Sequence, residues 1–440
     1  MIRVLLIGGI DPSGIAGLAA DMRALSSLGI NGAMVATCMV IENSRGVERT
    51  APVAPADVRD ALRAALGDGE PHAVKLGMLY GKEIARLVAR ELDALECPIV
   101  VDPVLTASIG MPLAEEGLED AMVEHILPLA DVVTPNAPEL EALSGCRVRS
   151  YQDAEDAANH ILERGGTGAV LVKGGHLRGR MATDLLVEPR KVSEFAAPRL
   201  SIARPRGLGC TYASLIAGYL ALGEGLGSAV ARSKDKLHAS LECAEEIGEA
   251  QVINPLRIVV SEGERYRVGE EMRAALPELL LLLTPNLVPE VGVNIAYGIY
   301  GAKDFHDVCT LDSRIVLKGG RAATVGSPSF GAGSHVARTV LAVMAYDSTM
   351  RCAVNLRHSE PLLRAAKRAR FSIGSFDRSA EPKGRKTMEW GTARAIEALG
   401  GIPDLIWDPG GMGKEPMARV LAQDPAALLQ KVEKLSRALS

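Results

Sequence analysis

Aromatic residues are scarce in this chain: 2 Trp, 5 Phe and 8 Tyr make up 3% of its 440 positions, against 48% hydrophobic residues overall. Its cores must therefore be filled by Ala, Val, Leu, Ile and Met. Cysteine is sparse as well, and Cys38, Cys97, Cys146, Cys210, Cys243, Cys309 and Cys352 show no C-x-x-C spacing. That excludes an ordinary structural zinc site, and with no secretory segment before the first apolar run it points to reduced thiols and a cytoplasmic protein. Long apolar runs are missing too. Leu279–Leu283 is the longest leucine run and falls far short of the roughly 20 residues that span a bilayer, so no membrane partner is expected. The net charge of −5 comes without a basic domain or stripe, which argues against a nucleic-acid partner. The most basic run, Arg364–Arg370, reads as a solvated helix face.

What is present suggests two or three domains, from a length prior of roughly 150 residues each. Arg3–Gly8 is an apolar run that stops at two glycines, and Asp11–Gly17 is a glycine-rich loop before a helix carrying Leu18, Met22 and Leu25 on one side. This alternation of short apolar strands and 10–15-residue helical patterns continues to about residue 220, which predicts βαβ units and a mostly parallel sheet. Asp21 lies one turn into the first helix, where it either reaches a ligand hydroxyl or is a surface acid. Ile41–Gly46 reads as a polar loop. Asp102 is the acid of the apolar run Pro98–Val104, and acids at strand ends face the ligand crevice of α/β sheets, so it either positions a metal-bound phosphate or makes a strand-end turn. Asn136 reads as a helix cap, and Lys173 follows another apolar run, placed to meet a nucleotide phosphate.

The stretch Arg206–Tyr212, Arg-Gly-Leu-Gly-Cys-Thr-Tyr, runs into a helical pattern. Its amides form an anion hole at a helix N-terminus. Cys210 there meets the positive end of the helix dipole, which favours a thiolate able to act as base or charge stabiliser. The alternative is a tight turn with a small buried thiol. Helical pattern continues over Gly223–Gly248, Glu249–Arg257 reads as a boundary, and a helix around Glu270–Leu283 opens a second domain. That domain carries Val288–Asn294, Gly319-Gly320-Arg321, Phe330–His335, Ser375–Arg378 and Gly413–Pro416, glycine-flanked polar runs of the kind that line phosphate sites.

Taken together, Gly9–Gly14, Ala16–Asp21, Lys75–Met78, Val101–Val104, Asn136-x-x-Glu139, Val172–His176 and Gly207–Thr211 resemble the hydroxymethylpyrimidine and phosphomethylpyrimidine kinases of thiamine biosynthesis. From about residue 255 the chain resembles the thiamine-phosphate synthase domain that archaea and some bacteria fuse behind this kinase. The resemblance implies an α/β, ribokinase-like, three-layer domain with a mostly parallel sheet over residues 1–250, then a second α/β domain over 256–440. It implies ATP and Mg²⁺ as cofactors, small-molecule substrates and a dimeric homo-oligomer. It places the aminopyrimidine against Gly9, Asp21, Val40, Glu42, Met78 and Val104. Gly207, Gly209 and Cys210 would serve the transferring phosphoryl group, with Lys173, Asn136, Glu139 and Thr211 toward the nucleotide and Asp102 with Glu139 toward the metal. Arg314, Arg321 and His335 would meet pyrophosphate in the second domain. Two positions depart from the family pattern: Glu42 stands where glutamine is common, and Arg206 where histidine is frequent. Two other readings remain open: a kinase for a pyridoxal-type ring, and a second domain that senses thiamine phosphate without catalysis.

Overall fold

The computed structural model describes residues 1–106, 113–177, 179–202, 204–382, 387–411 and 413–439. Its chain divides into two compact units, Met1–Val259 and Val260–Ser440.

The first unit is built on nine strands: β1 (Arg3–Ile10), β2 (Asn31–Asn43), β3 (Gly46–Pro52), β4 (Ala73–Leu76), β5 (Ile99–Val101), β6 (Val132–Val133), β7 (Val170–Val172), β8 (Met181–Glu188) and β9 (Lys191–Pro198). They lie in the order β3-β2-β1-β4-β5-β6-β7-β8-β9. The pairs from β2 through β7 are parallel, and only β3, β8 and β9 run antiparallel to their neighbours. Helices α1 (Gly17–Ser26), α2 (Pro55–Gly67), α3 (Lys82–Leu92), α4 (Leu118–Ala121), α5 (Ala137–Ser144), α6 (Tyr151–Gly165), α7 (Leu208–Ala221) and α8 (Leu226–Glu242) complete it.

Strand side chains alternate between faces, so neighbours in one strand feed different cores. Ile7, Leu76, Val101 and Val133 pack with α2, α3, α5 and α6. Leu6, Val100, Val132 and Leu171 pack with α1, α7 and α8 on the other side. Both faces being covered, these strands read as unbroken apolar runs, and the domain is the three-layer, ribokinase-like fold expected. Nearly every residue of α7 from Thr211 to Ala221 is buried, as a helix wedged between a sheet and other helices requires.

Helix α8 ends at Glu242 rather than near Gly248. A hairpin of β11 (Glu245–Ile247) and β12 (Ala250–Val252) follows and pairs with β10 (Pro205–Arg206). Gly248 at φ +59° makes its turn, a conformation that breaks a helical pattern. Ile41–Asn43 is likewise strand, not loop, because β2 continues to pair with β3 through Asn43.

Helix α9 (Pro255–Leu282) begins 15 residues before the expected Glu270. Proline is at home in a first turn, where its missing N–H has no intrahelical partner. The second unit's sheet contains β13 (Ile295–Gly298), β14 (Val308–Leu311), β17 (Pro328–Phe330), β18 (Cys352–Arg357), β19 (Ile373–Ser375), β20 (Leu405–Asp408) and β21 (Met417–Ala422), while β15 (Val316–Lys318) and β16 (Arg321–Ala323) form a separate hairpin. The order β17-β14-β13-β18-β21-β20-β19 is antiparallel except for β19 with β20. Helices α10 (His335–Met344) and α12 (Thr387–Leu399) cover one face through Ala296, Ala353, Ile406 and Leu421. Helices α9, α11 (Glu360–Arg368) and α13 (Pro425–Leu439) cover the other. Arg364, Lys367 and Arg368 form the exposed face of α11, as expected. Among the described buried apolar residues only Tyr212, Tyr219, Tyr297 and Phe376 are aromatic.

Candidate active sites

In the first unit the loops that follow the parallel strands gather at one edge and line a cleft of about 1200 Å³, the place where such sheets hold ligands. Gly207 caps α7 at φ +77°, and a Cβ on it would lie 2.5 Å from the carbonyl oxygen of Ile15. Only glycine fits there. The amides of Leu208, Gly209 and Cys210 precede the first intrahelical bond, which Thr211 N donates to Gly207 O at 3.0 Å, so three donors remain for an anion. We expect Gly207→Ala to lower turnover at this site at least 10-fold by shifting this loop, measured alongside thermal unfolding. Thr211 itself does not fit its expected role: its side chain is fully buried, outside the cleft lining, and its N–H is committed to the helix.

Cys210 lines the cleft, but not as the resting thiolate expected from the helix dipole. Burial pushes its pKa up to about 12; the Lys75 ammonium opposes this, and Asp21 and Asp102 add to it. Desolvation is the largest of these effects. Iodoacetamide at pH 7.5 should therefore label exposed Cys146 and Cys243 well before Cys210. Peptide mapping that finds Cys210 labelled first would contradict this.

Lys75 went unrecognised in the sequence except as part of a motif, since a lysine inside a four-residue apolar strand carries no periodic signal. It is fully buried on β4, with Nζ 2.9 Å from Asp21 Oδ1 and 3.0 Å from Oδ2. Ser214 Oγ, one turn beyond Cys210 on α7, donates to the same Asp21 at 2.8 Å. Asp21 is thus not a surface acid: its carboxylate accepts from Lys75 and Ser214 and lines the cleft.

Lys173 Nζ sits 2.7 Å from Asp102 Oδ1 and 3.6 Å from Glu139 Oε2. Burial disfavours its charge, and the two carboxylates outweigh this and raise its pKa. Asn136 and Glu139 form a reciprocal capping box on α5, Glu139 N donating to Asn136 Oδ1 at 2.9 Å and Asn136 N to Glu139 Oε2 at 2.8 Å. Asn136 is a cap, as its position suggested, and it lines the cleft as well. Among the described residues no protein group donates to Asp102 Oδ2 or Glu139 Oε1, and no three His, Cys, Asp or Glu side chains form a metal cage. Two free hard oxygens suit Mg²⁺, which takes one or two carboxylates and completes its shell with water and phosphate oxygens. Gly209 lies against this group: a Cβ there would meet Lys173 Nζ at 3.3 Å and Asp102 Oδ2 at 3.4 Å.

Farther along the cleft, Gly9 packs among Cys38, Val40 and Met78, where a Cβ would meet Cys38 Sγ at 3.1 Å. Val104 joins this small apolar wall. Beside it Glu42 forms an ion pair with Arg206, both side chains buried. The two departures from the family pattern thus touch each other. Asp11, buried, organises the loop before α1 by accepting from the amides of Ser13, Ile15 and Ala16 at 2.7–2.9 Å. At the opposite end Asp184 accepts from Gly174 N at 2.8 Å and Lys234 Nζ at 2.7 Å, which fixes the loop after Lys173. An acid immediately before the apolar run Leu185–Val187 was the available signal for Asp184; a helix-face lysine offered none for Lys234.

The second unit holds an electropositive cluster at the N-terminus of α10. His335 follows the cap Ser334. Burial lowers its pKa first, then the charges of Arg338, Arg419, Arg378 and Arg314. Arg314 Nη1 donates to Val291 O at 2.5 Å. Arg378 Nε and Arg419 Nη1 converge on fully buried Asp408 at 2.5 and 2.8 Å. Asp408 ends β20 as Asp102 follows β5, the same strand-end signal left unread in the second half. Arg321 is not drawn in: it is exposed on β16, in the hairpin outside the main sheet, and is not among the charges that chiefly lower the His335 pKa.

Residues 11–256 match the phosphomethylpyrimidine kinase family. The chain belongs to that family. Residues 271–434 match thiamine-phosphate synthase ThiN. The chain is 29% identical to the bifunctional thiamine biosynthesis protein ThiDN of Methanocaldococcus jannaschii over 436 residues, 99% of this chain and 98% of that one. It is 36% identical to the hydroxymethylpyrimidine/phosphomethylpyrimidine kinase of Aquifex aeolicus, over 57% of this chain and 98% of the relative. A pyridoxal kinase structure from Staphylococcus aureus, in complex with AMP-PCP and pyridoxal, aligns with 58% of this chain and 94% of its own at TM-score 0.54 and 28% identity. No helix among the described residues is long and apolar enough to cross a membrane.

Proposed function

We propose that the first unit uses ATP to phosphorylate hydroxymethylpyrimidine and then its monophosphate, and that the second unit joins the resulting diphosphate to thiazole phosphate, releasing pyrophosphate. The observation that carries the kinase assignment is a single cleft lined by the α7 amides, Cys210 and Lys173. Phosphoryl transfer needs positioning and charge neutralisation more than covalent chemistry, and this cleft supplies both. The amides of Leu208, Gly209 and Cys210 meet the transferring phosphoryl oxygens, and Lys173 binds nucleotide phosphate. Asp102 and Glu139 would hold Mg²⁺, which neutralises phosphate charge when bound. Cys210 rests protonated, and it accepts the proton of the acceptor hydroxyl only as the thiolate that the Lys75 ammonium favours, so that Sγ carries that proton once the O–P bond has formed. Cys210→Ala is expected to lower kinase kcat by about 10²–10⁴-fold, the range for a positioned acid–base group; unchanged turnover removes the thiol from the mechanism.

In the second unit, cleavage of the diphosphate builds negative charge on the leaving pyrophosphate, and the cationic groups around His335 stabilise it. Bound pyrophosphate should raise the His335 pKa from its lowered resting value, so binding takes up protons between the two values. Calorimetry in buffers of different ionisation enthalpy should show a buffer-dependent heat that His335→Gln abolishes. The whole reading is tested by incubating the protein with hydroxymethylpyrimidine, ATP, Mg²⁺ and thiazole phosphate and assaying thiamine phosphate. Diphosphate without thiamine phosphate would remove the synthase assignment.

A further inference from the structure

Two of the glycine-flanked runs of the second unit, Val288–Asn294 and Gly413–Pro416, meet at Glu415, whose Oε1 accepts from Glu290 N at 3.2 Å and Oε2 from Val291 N at 3.3 Å. Both carboxylate oxygens thus go to backbone amides. The carbonyl oxygen of the same Val291 accepts from Arg314 Nη1, and among the described residues it is the guanidinium's only hydrogen-bond partner. Arg314 is otherwise exposed. On the far side of the turn it is two buried asparagines that hold the chain: Asn355 Nδ2 donates to Gly292 O at 3.0 Å, and Asn355 Oδ1 accepts from Asn294 N at 2.7 Å. Asn355 stands opposite Arg419 in the β18–β21 pairing. Glu415 therefore pins the peptide before Val291 and Asn355 the one after Gly292, so the Val291–Gly292 peptide between them, whose oxygen holds Arg314, has little freedom to turn. Gly292, at φ +81°, lies so close that a Cβ on it would come within 3.0 Å of Arg314 Cβ.

Arg314 belongs to the cationic group around His335, and a carboxylate close to such a group opposes a polyanion by charge alone. Only through geometry can Glu415 favour binding. We propose that Glu415 is a positioning residue of the synthase site, directing Arg314 at the pyrophosphate part of the substrate by fixing the Val291 carbonyl. The inference rests on the synthase reading above and adds one residue to that same site. Glu415 does not touch the ligand. It acts through Arg314, and a guanidinium held in one direction loses less freedom on meeting a phosphate than one that swings in solvent. The effect falls on the diphosphate and on released pyrophosphate, not on thiazole phosphate.

The test measures thiamine phosphate formed by the full chain from supplied pyrimidine diphosphate and thiazole phosphate, with pyrophosphate as product inhibitor. Arg314→Met should raise both the KM for the diphosphate and the inhibition constant of pyrophosphate about 10-fold or more, the range for hydrogen bonds to a charged group. Glu415→Gln removes a negative charge but can accept from only one of the two amides. Charge alone would lower the two constants; lost positioning should raise them about 3- to 10-fold and leave the KM for thiazole phosphate within about 2-fold. Glu415→Ala, which accepts from neither amide, should raise them further. In the Arg314→Met background Glu415→Gln should add less than about 1.5-fold, since residues that act through one group are not additive. A fall or no change in the two constants for Glu415→Gln, its full effect persisting without Arg314, or an equal rise in both KM values overturns the proposal. Arg314→Met with unaltered constants also overturns it and leaves the synthase reading standing. Wild type that forms no thiamine phosphate overturns that reading, and this proposal with it.

Discussion

Lys173→Met is expected to lower kinase kcat by about 10²–10³-fold, the cost of removing one preorganised charged donor from a transition state. The side chain is the cation that stands between Asp102 and Glu139, 2.7 and 3.6 Å away, at the mouth of the amide-lined turn. Without it two carboxylates repel incoming phosphate instead of organising it. The substitution should not unfold the unit. Asp102 keeps the bond from Thr134 Oγ1 at 3.3 Å, and Glu139 keeps its capping box. Glu139 also has its pKa raised, by burial first and by Asp102, so it takes up a proton readily once Lys173 is gone. Coupled ADP release measures the kinase step, and thiamine phosphate formed from supplied pyrimidine diphosphate measures the second unit, which should be unaffected. A kcat within 3-fold of wild type would remove Lys173 from phosphate binding.

The second large effect concerns the other unit. Asp408→Ala is expected to destabilise it by about 3–5 kcal/mol, the cost of breaking a buried charge pair and leaving its partners uncompensated. Asp408 is fully buried and receives both Arg378 and Arg419, itself almost wholly buried. Removing the acid leaves two guanidinium groups facing each other, with a further cationic neighbour in Arg314 at His335. Urea unfolding followed by Trp390 and Trp407 fluorescence, both in this unit, should show its midpoint fall while kinase activity survives. Asp408→Asn, which keeps the acceptor and loses the charge, should fall between. Equal stability of wild type and Asp408→Ala would mean the arginines find other anions. Synthase activity should fail even where the variant remains folded, because Arg378 and Arg419 lose the anchor that aims them at the cluster.

The fold was largely legible in the amino-acid order. Apolar strands with glycine breaks announced the parallel sheet, and the low aromatic content correctly implied cores of aliphatic residues. Several site residues were legible as positions: Asp102 beyond a strand end, Asn136 at a cap, Lys173 before a glycine turn, Cys210 behind Gly207. Their electrostatic state was not. A helix dipole is a local property and argues for a thiolate at Cys210, whereas the desolvation that pushes the thiol up to about 12 comes from walls contributed by segments far apart in sequence. That Asp21 is buried rather than a surface acid was not legible, because its partner Lys75 is 54 residues away. Thr211 and Arg321 were placed by motif adjacency, and helix phase and hairpin position carried each of them out of its site.

The sequence by itself determined the alternation of strands and helices, the two-unit organisation and the chemistry available at each loop, because these follow from short-range periodicity, turn residues and side-chain type. Tertiary structure alone decided which charges meet. Glu42 joins Arg206 across 164 positions, Lys173 joins Asp102 across 71, and Asp408 gathers arginines 30 residues before it and 11 after it. Charge pairing depends on distance and burial in space, and neither quantity is written in the local order of residues.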